Sequence, residues 1–309
     1  MFATPDPLPA TTFWRALGRP PAHQLLCHLS RLHHDPSAHR SPVLLIHGFP
    51  DSPAMFAEYH TARERRQPWL QGRSIYALAF PNRHDNLRGM PSISDMAGGR
   101  LRREFTALVD AVIAASPTGK LLIVAHDWGA TYTWDLVRRR PDVPIEALAS
   151  LSVGSSFRFD IAEHGPLALL WLYNVVFGLP YYIPLPAIRA AQARALAIAG
   201  YRSPSISAAY QDCFHYWDWP LRAATLPLRL LGFGATPPFI DIRFPVLFLR
   251  SGLDRLASTD AFEAHLRARA DSRVMILAGL SHWFPEQHAD IALRALRVFP
   301  SLLQVQEDH

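Results

Sequence analysis

Between residues 120 and 140 the chain reads KLLIVAHDWGATYTWDLVRRR, an apolar run that turns abruptly into a helical pattern. Leu121 to Ala125 make a short buried strand by length and branching, and the spacing after Trp128 is helical until Pro141 ends it. A strand that feeds so directly into a helix needs a sharp turn, whose apex residue is strained and exposed at the strand's end. Crowding at such a turn demands small residues two positions either side of the apex. Ala125 and Gly129 meet that demand around Asp127. The apex is a carboxylate, and this determines the chemistry. A hydroxyl there attacks acyl carbon, whereas a carboxylate suits displacement at alkyl carbon, leaving an ester that water must cleave.

The rest of the chain supports one large core. With 309 residues, one domain carrying a substantial insertion fits better than two equal domains. Hydrophobic residues make up 49% and charged residues 18%, which excludes a disordered chain. The formal charge of +5 allows weak attraction to anionic surfaces. The arginines are scattered rather than interleaved with stacking aromatics, so no nucleic-acid partner is expected. Arg138, Arg139 and Arg140 close a helix, where cations offset its dipole. Cys27 and Cys213 are in no metal-like spacing and imply free thiols in a reducing compartment. The proline-broken N-terminal stretch lacks the apolar core of a signal peptide, so a cytoplasmic location is expected.

Strand patterns fall at 24–31, 42–46, 74–80, 121–125, 145–153, 245–250 and 273–278, with helices at 101–115 and 259–269 and a short one at 12–17. Strands alternating with helices predict an α/β fold whose mostly parallel sheet is covered on both faces. Residues 155–240 differ in texture, being rich in Trp, Tyr, Pro and Ala. They read as a helical lid over the carboxyl ends of the strands, where open sheets bind ligands. The expected organisation is a core in two parts, 1–154 and 241–309, with the lid at 155–240 between them. Residues 165–188 carry no charge, but Pro180, Pro184 and Pro186 break the run and Asn174 with three tyrosines makes it amphipathic. This favours an apolar cap over a greasy pocket, compatible with weak membrane-surface contact, rather than a membrane span.

A carboxylate nucleophile needs a base to cleave its ester, an acid to orient the base, and donors for the oxyanion. His282 follows the strand at 273–278, and the chain order nucleophile, acid, base selects it from fifteen histidines. Asp254, in Ser251-Gly252-Leu253-Asp254 directly after the strand at 245–250, is placed to hold the other imidazole nitrogen. The alternative position after the strand at 145–153 offers no carboxylate until Asp160. Backbone N–H groups of Phe49 and Trp128 are the expected oxyanion donors. The X-Pro turn at Phe49-Pro50 is open to a cis bond, although the general preference is for trans. His47 and His126 are expected to pin loops rather than to react.

The motifs HGFPDS, AHDWGA, GLD and SHW, in this order and spacing, resemble those of α/β-hydrolase fold epoxide hydrolases and the related haloalkane dehalogenases. The similarity covers roughly residues 24–300, and both groups use an aspartate nucleophile followed by tryptophan. The resemblance implies the α/β-hydrolase fold with an inserted helical cap, a catalytic triad of Asp127, Asp254 and His282, and no metal or cofactor. The lid separates the two groups. Epoxide opening develops an alkoxide, and epoxide hydrolases meet it with a pair of lid tyrosines. Halide leaves as an anion and needs indole or amide N–H donors. Tyr173, four residues before Phe177 and seven before Pro180, resembles the first tyrosine motif. Tyr216, in Phe214-His215-Tyr216-Trp217, stands where the second is expected, with Tyr210, Trp217 and Trp219 competing.

The implied activity is hydrolysis of a hydrophobic epoxide to a vicinal diol by a monomer or homodimer. Phe49, Trp128, Phe177, Trp217 and Trp283 would line the substrate. Haloalkane dehalogenation, opening of a strained lactone and a non-catalytic binding role are the alternatives. Three departures from the family pattern bear on the pocket. Gly178 follows Phe177 where a polar residue is usual, and Ser281 replaces the glycine before the base. Residues 80–85 lack the usual Asp-x-Arg-Gly-Tyr-Gly, with Arg88-Gly89 as a displaced remnant.

Overall fold

The computed structural model describes residues 26–81, 95–96, 99–154, 177–178, 185–198, 200–202, 214–216, 240–254 and 258–307. The expected helix at 12–17, the loop at 82–90, Cys213, Tyr173, Tyr210, Trp217 and Trp219 lie outside them. Seven strands among the described residues form one sheet in the order β1-β3-β2-β4-β5-β6-β7. They are β1 His28–His33, β2 Val43–Ile46, β3 Ile75–Ala79, β4 Leu121–His126, β5 Ile145–Leu151, β6 Val246–Ser251 and β7 Arg273–Leu277. Only β1 runs antiparallel, pairing with β3 at the sheet edge. The other neighbours are parallel. The first expected strand, at 24–31, lies farther along the chain, at 28–33. The remaining strands match their expected positions within two residues at each end.

The central strands are continuous apolar runs because both faces are covered. Alternation still sorts the side chains. Leu44, Ile46, Leu121, Ile123 and Ala125 pack on one face. Val43, Leu45, Leu122 and Val124 pack on the other. The first face is covered by α1 Arg100–Ala114, α2 Trp128–Arg139 and α4 Asp260–Arg267. Helix α1 buries Leu101, Phe105, Leu108, Val109 and Val112, a stripe at helical spacing. Helix α2 buries Ala130, Thr133, Trp134 and Val137, and the Trp134 indole N–H donates to Ser150 Oγ of β5 at 3.0 Å. Arg140, at the end of α2, pairs with Asp110 of α1 at 2.7 Å.

The second face is covered by a 3-10 helix, Pro53–His60, with α5 Phe284–Gln287, α6 Ala289–Leu296 and α7 Phe299–Glu307. Of the insertion at 155–240, the structure describes helix α3, Pro186–Ile198, and the short pieces around Phe177 and Phe214 to Tyr216. No helix among the described residues is long and apolar enough to cross a membrane.

Candidate active site

Asp127 sits between β4 and α2 with φ 50° and ψ −119°, backbone angles that cost an L-residue of order 1–3 kcal/mol. The surroundings leave the turn no alternative. A Cβ on Gly129 would stand 2.5 Å from the carbonyl oxygens of Ile46 and His47. A Cβ on Gly48 would stand 2.5 Å from Asp127 Oδ2, so the neighbouring turn also needs a glycine. Ala125, the small residue on the other side, is fully buried.

The Asp127 carboxylate is held on both oxygens. Phe49 N–H donates to Oδ2 at 2.7 Å, and His282 Nε2 lies 3.2 Å from Oδ1. Trp128, the other expected donor residue, opens α2, where backbone N–H groups have no partner within the helix. The Phe49-Pro50 bond is cis, against the general preference for trans. Both pinning histidines behave as expected. The His47 ring accepts from Phe80 N–H at Nε2, 3.2 Å, so its Nδ1–H donates to the Gly48 carbonyl at 2.8 Å. His126 Nε2 donates to the His282 carbonyl at 3.0 Å, and its Nδ1 lies 3.3 Å from the buried Asp51 carboxylate.

His282 follows β7 and is gripped from several elements. Its Nδ1 meets Asp254 Oδ2 at 2.5 Å. Its carbonyl accepts a second hydrogen bond, from Ser152 Oγ at 2.7 Å. Asp254 is set by a turn in which Ser251 Oγ accepts from the N–H groups of Leu253 and Asp254 and donates to the Leu280 carbonyl. Burial works against charge on His282, but the hydrogen bonds and negative charges of Asp127 and Asp254 raise it to about 10. Burial likewise works against the Asp127 anion. The His282 hydrogen bond and charge, the His126 charge and the Phe49 N–H outweigh it and hold the carboxyl below its ordinary value.

Aromatic rings surround this group. Tyr216 meets Phe49 edge-on at 5.2 Å and Trp128 edge-on at 5.3 Å, and stacks on Phe177 at 5.5 Å. His215 lies parallel to Trp128 at 5.3 Å, with its Nδ1 3.3 Å from Tyr132 Oη. Trp283 is buried against Tyr201 and donates its indole N–H to the Phe49 carbonyl at 3.4 Å. The structure thus brings together Asp127, Asp254, His282, Phe49, Trp128, Phe177, Tyr216 and Trp283, while Tyr173 and Trp217 lie outside the described residues.

Sequence reasoning passed over Ser152, Asp51 and His215. Ser152 has φ 67°, and nothing in its local sequence announces a left-handed serine that reaches the base loop. Asp51 lay within the HGFPDS motif without a role assigned to it. His215 was visible only as a neighbour of Tyr216.

A sequence model of the "Alpha/beta hydrolase family" matches residues 43–295. No curated protein matches the chain in sequence. Among solved structures, a Bacillus megaterium epoxide hydrolase bound to an inhibitor superposes with a TM-score of 0.62 at 14% identity, over 89% of this chain and 96% of its own. A Vigna radiata epoxide hydrolase gives 0.59 at 19% identity, covering 89% and 94%. A haloalkane dehalogenase loop variant from Bradyrhizobium elkanii gives 0.54 at 18%, covering 93% and 97%. At these identities the structural likeness is one of fold. With the family match across most of its length, the chain belongs to the α/β hydrolase family.

Proposed function

We propose that this hydrolase is an epoxide hydrolase, opening a hydrophobic epoxide to a vicinal diol through a covalent ester on Asp127. The observation that carries the reading is the elbow carboxylate itself, one oxygen on the Phe49 N–H and the other facing His282. In this arrangement Oδ1 attacks the less hindered oxirane carbon and breaks its C–O bond. Oδ2 becomes the ester carbonyl oxygen, already on the donor that will hold the oxyanion. Tyr216 supplies a proton to the alkoxide, with Tyr173 as second donor by sequence motif. Residues 155–240 form the cap that carries both. The contacts of Phe177 and Tyr216 with Phe49 support that role.

The charges order the two steps. In the free enzyme His282 is an imidazolium between two carboxylates. Its proton replaces the one given up by the tyrosine. Forming the ester removes the charge on Asp127, one of the causes that keeps His282 protonated. The neutral imidazole, still oriented by Asp254, then takes a proton from water that attacks the ester carbonyl. The Phe49 and Trp128 N–H groups hold the oxyanion. Collapse releases the diol and restores the Asp127 carboxylate and the imidazolium.

The test uses His282→Gln with a panel of epoxides and haloalkanes, read by intact mass and peptide mapping. An epoxide adduct on the Asp127 peptide is expected, with diol formation slowed about 10³-fold. Tyr216→Phe should slow adduct formation from epoxides roughly tenfold or more. Adducts from haloalkanes alone would replace this reading with dehalogenation. No adduct from any member of the panel would remove Asp127 from its role.

A further inference from the structure

We propose that Gln287 is a positioning residue for the ester-cleaving step, clamping the end of helix α3 to the loop that carries His282. The end of helix α3 reads Ala197-Ile198-Ala199-Gly200-Tyr201 in sequence. Gly200 adopts φ 100°, its N–H donates to the Ala197 carbonyl at 3.1 Å, and Tyr201 N–H reaches back to the Leu196 carbonyl at 2.9 Å. This pair of bonds is a Schellman cap, in which the glycine supplies the left-handed turn that ends a helix. Tyr201 and Leu196 are both buried, as the apolar contact of such a cap requires.

The cap offers two groups to the base loop. The Gly200 carbonyl accepts from Gln287 Nε2 at 2.8 Å, and the Tyr201 ring packs on Trp283 at 5.1 Å. Gln287 turns its other end inward, where Oε1 accepts from Ser281 Oγ at 3.3 Å. Its own N–H bonds the Trp283 carbonyl. Ser281 and Trp283 are the two chain neighbours of His282; the Gln287 side chain ties the first to the Gly200 carbonyl, and its backbone N–H holds the second. The fit at Ser281 is close, because a Cβ on Gly200 would stand 3.1 Å from Ser281 Cβ. A primary amide suits this place, since it donates to a carbonyl and accepts from a hydroxyl together with no change of protonation state.

The clamp has no contact with Asp127, so its loss should spare attack on the epoxide. It should impair the step that needs the imidazole aimed at water. This rests on the reading of His282 as the base.

The experiment compares wild type, Gln287→Leu, Gln287→Glu, Ser281→Ala and His282→Gln with styrene oxide in single turnovers, with intact mass following ester formation and loss. For Gln287→Leu, ester formation should stay within about twofold of wild type while ester loss slows roughly tenfold. In steady state kcat and KM should then fall together with kcat/KM unchanged. Gln287→Glu, which turns a carboxylate toward the Gly200 carbonyl, should not restore the rate, and Ser281→Ala should show a smaller slowing. Ester loss at the wild-type rate in Gln287→Leu, or equal slowing of formation and loss, overturns the clamp and leaves the function intact. If Gln287→Leu does not fold, Gln287→Glu and Ser281→Ala decide by the same criterion. If the ester of His282→Gln is lost at the wild-type rate, the reading of the base fails and the positioning role falls with it.

Discussion

The two turns that face each other across the site are held in different ways. The elbow at Asp127 is fixed by its own backbone and by the lack of room around Gly129 and Gly48. The loop at His282 is fixed from outside. It depends on Asp254 after β6, Ser152 after β5, His126 at the end of β4 and Gln287 bridging to Gly200. A turn locked by sterics has one arrangement and fails outright when a methyl group intrudes. A loop held by many separate bonds loosens by degrees, according to which partner is removed. On the proposed mechanism the same division follows the chemistry, since Asp127 must be presented rigidly while His282 must keep its aim through a change of charge.

The sharpest way to break this comparison is Gly129→Ala. The added Cβ meets two backbone carbonyls that cannot move without shifting β2. The variant should lose roughly 3 kcal/mol or more and fail to accumulate as folded protein, measured by denaturant unfolding. A stable, active variant would show that the elbow is not sterically locked.

Asp254→Asn keeps the shape of the base loop while removing one of the two carboxylates on His282. Turnover should fall about 10²- to 10³-fold with little change in melting temperature, read by steady-state kinetics and thermal unfolding. Ser152→Ala removes one of two donors to the His282 carbonyl and leaves His126 in place. A loss of about 1 kcal/mol in stability and less than about tenfold in ester hydrolysis is expected. A collapse like that of Gly129→Ala would mean the base loop is as brittle as the elbow.

The gentlest effect is on stability against pH. His282 is raised from 6.5 to about 10, so its contribution is complete below pH 6.5 and is lost as pH climbs through about 10. Urea midpoints should therefore fall across that window in wild type, and His282→Gln should flatten the fall. An unchanged slope in the variant would show that His282 is not charged between its two carboxylates.

The elbow was legible in the sequence because its constraints are local. An apolar run, a helix pattern and small residues two positions from Asp127 fit few other structures. Asp254 and His282 were legible through chain order, since each follows a strand whose register the apolar pattern defines. Ser152 and Gln287 were not legible, because their partners lie 130 and 87 residues away and neither belongs to a reacting motif. Trp283 illustrates a third situation. It was expected beside the substrate, and its particular partners, the Phe49 carbonyl for its indole N–H and the Tyr201 ring, are seen only in the structure. An aromatic beside a reactive histidine has no pattern that says which way it will face. The helices α6 and α7 were not legible as separate elements, since Pro300 falls in the first turn of α7 and Pro285 lies in the short helix just ahead of α6.

The hydrogen bond from Phe49 N–H to Asp127 Oδ2 has a consequence for where atoms end up. The N–H proposed to hold the oxyanion already holds an oxygen of the protein. On the proposed course the enzyme is therefore its own acyl substrate, and the oxygen handed to the diol is Oδ1 of Asp127. Solvent oxygen enters the protein instead. One turnover in heavy-oxygen water should yield unlabelled diol and leave the label in the peptide that contains Asp127.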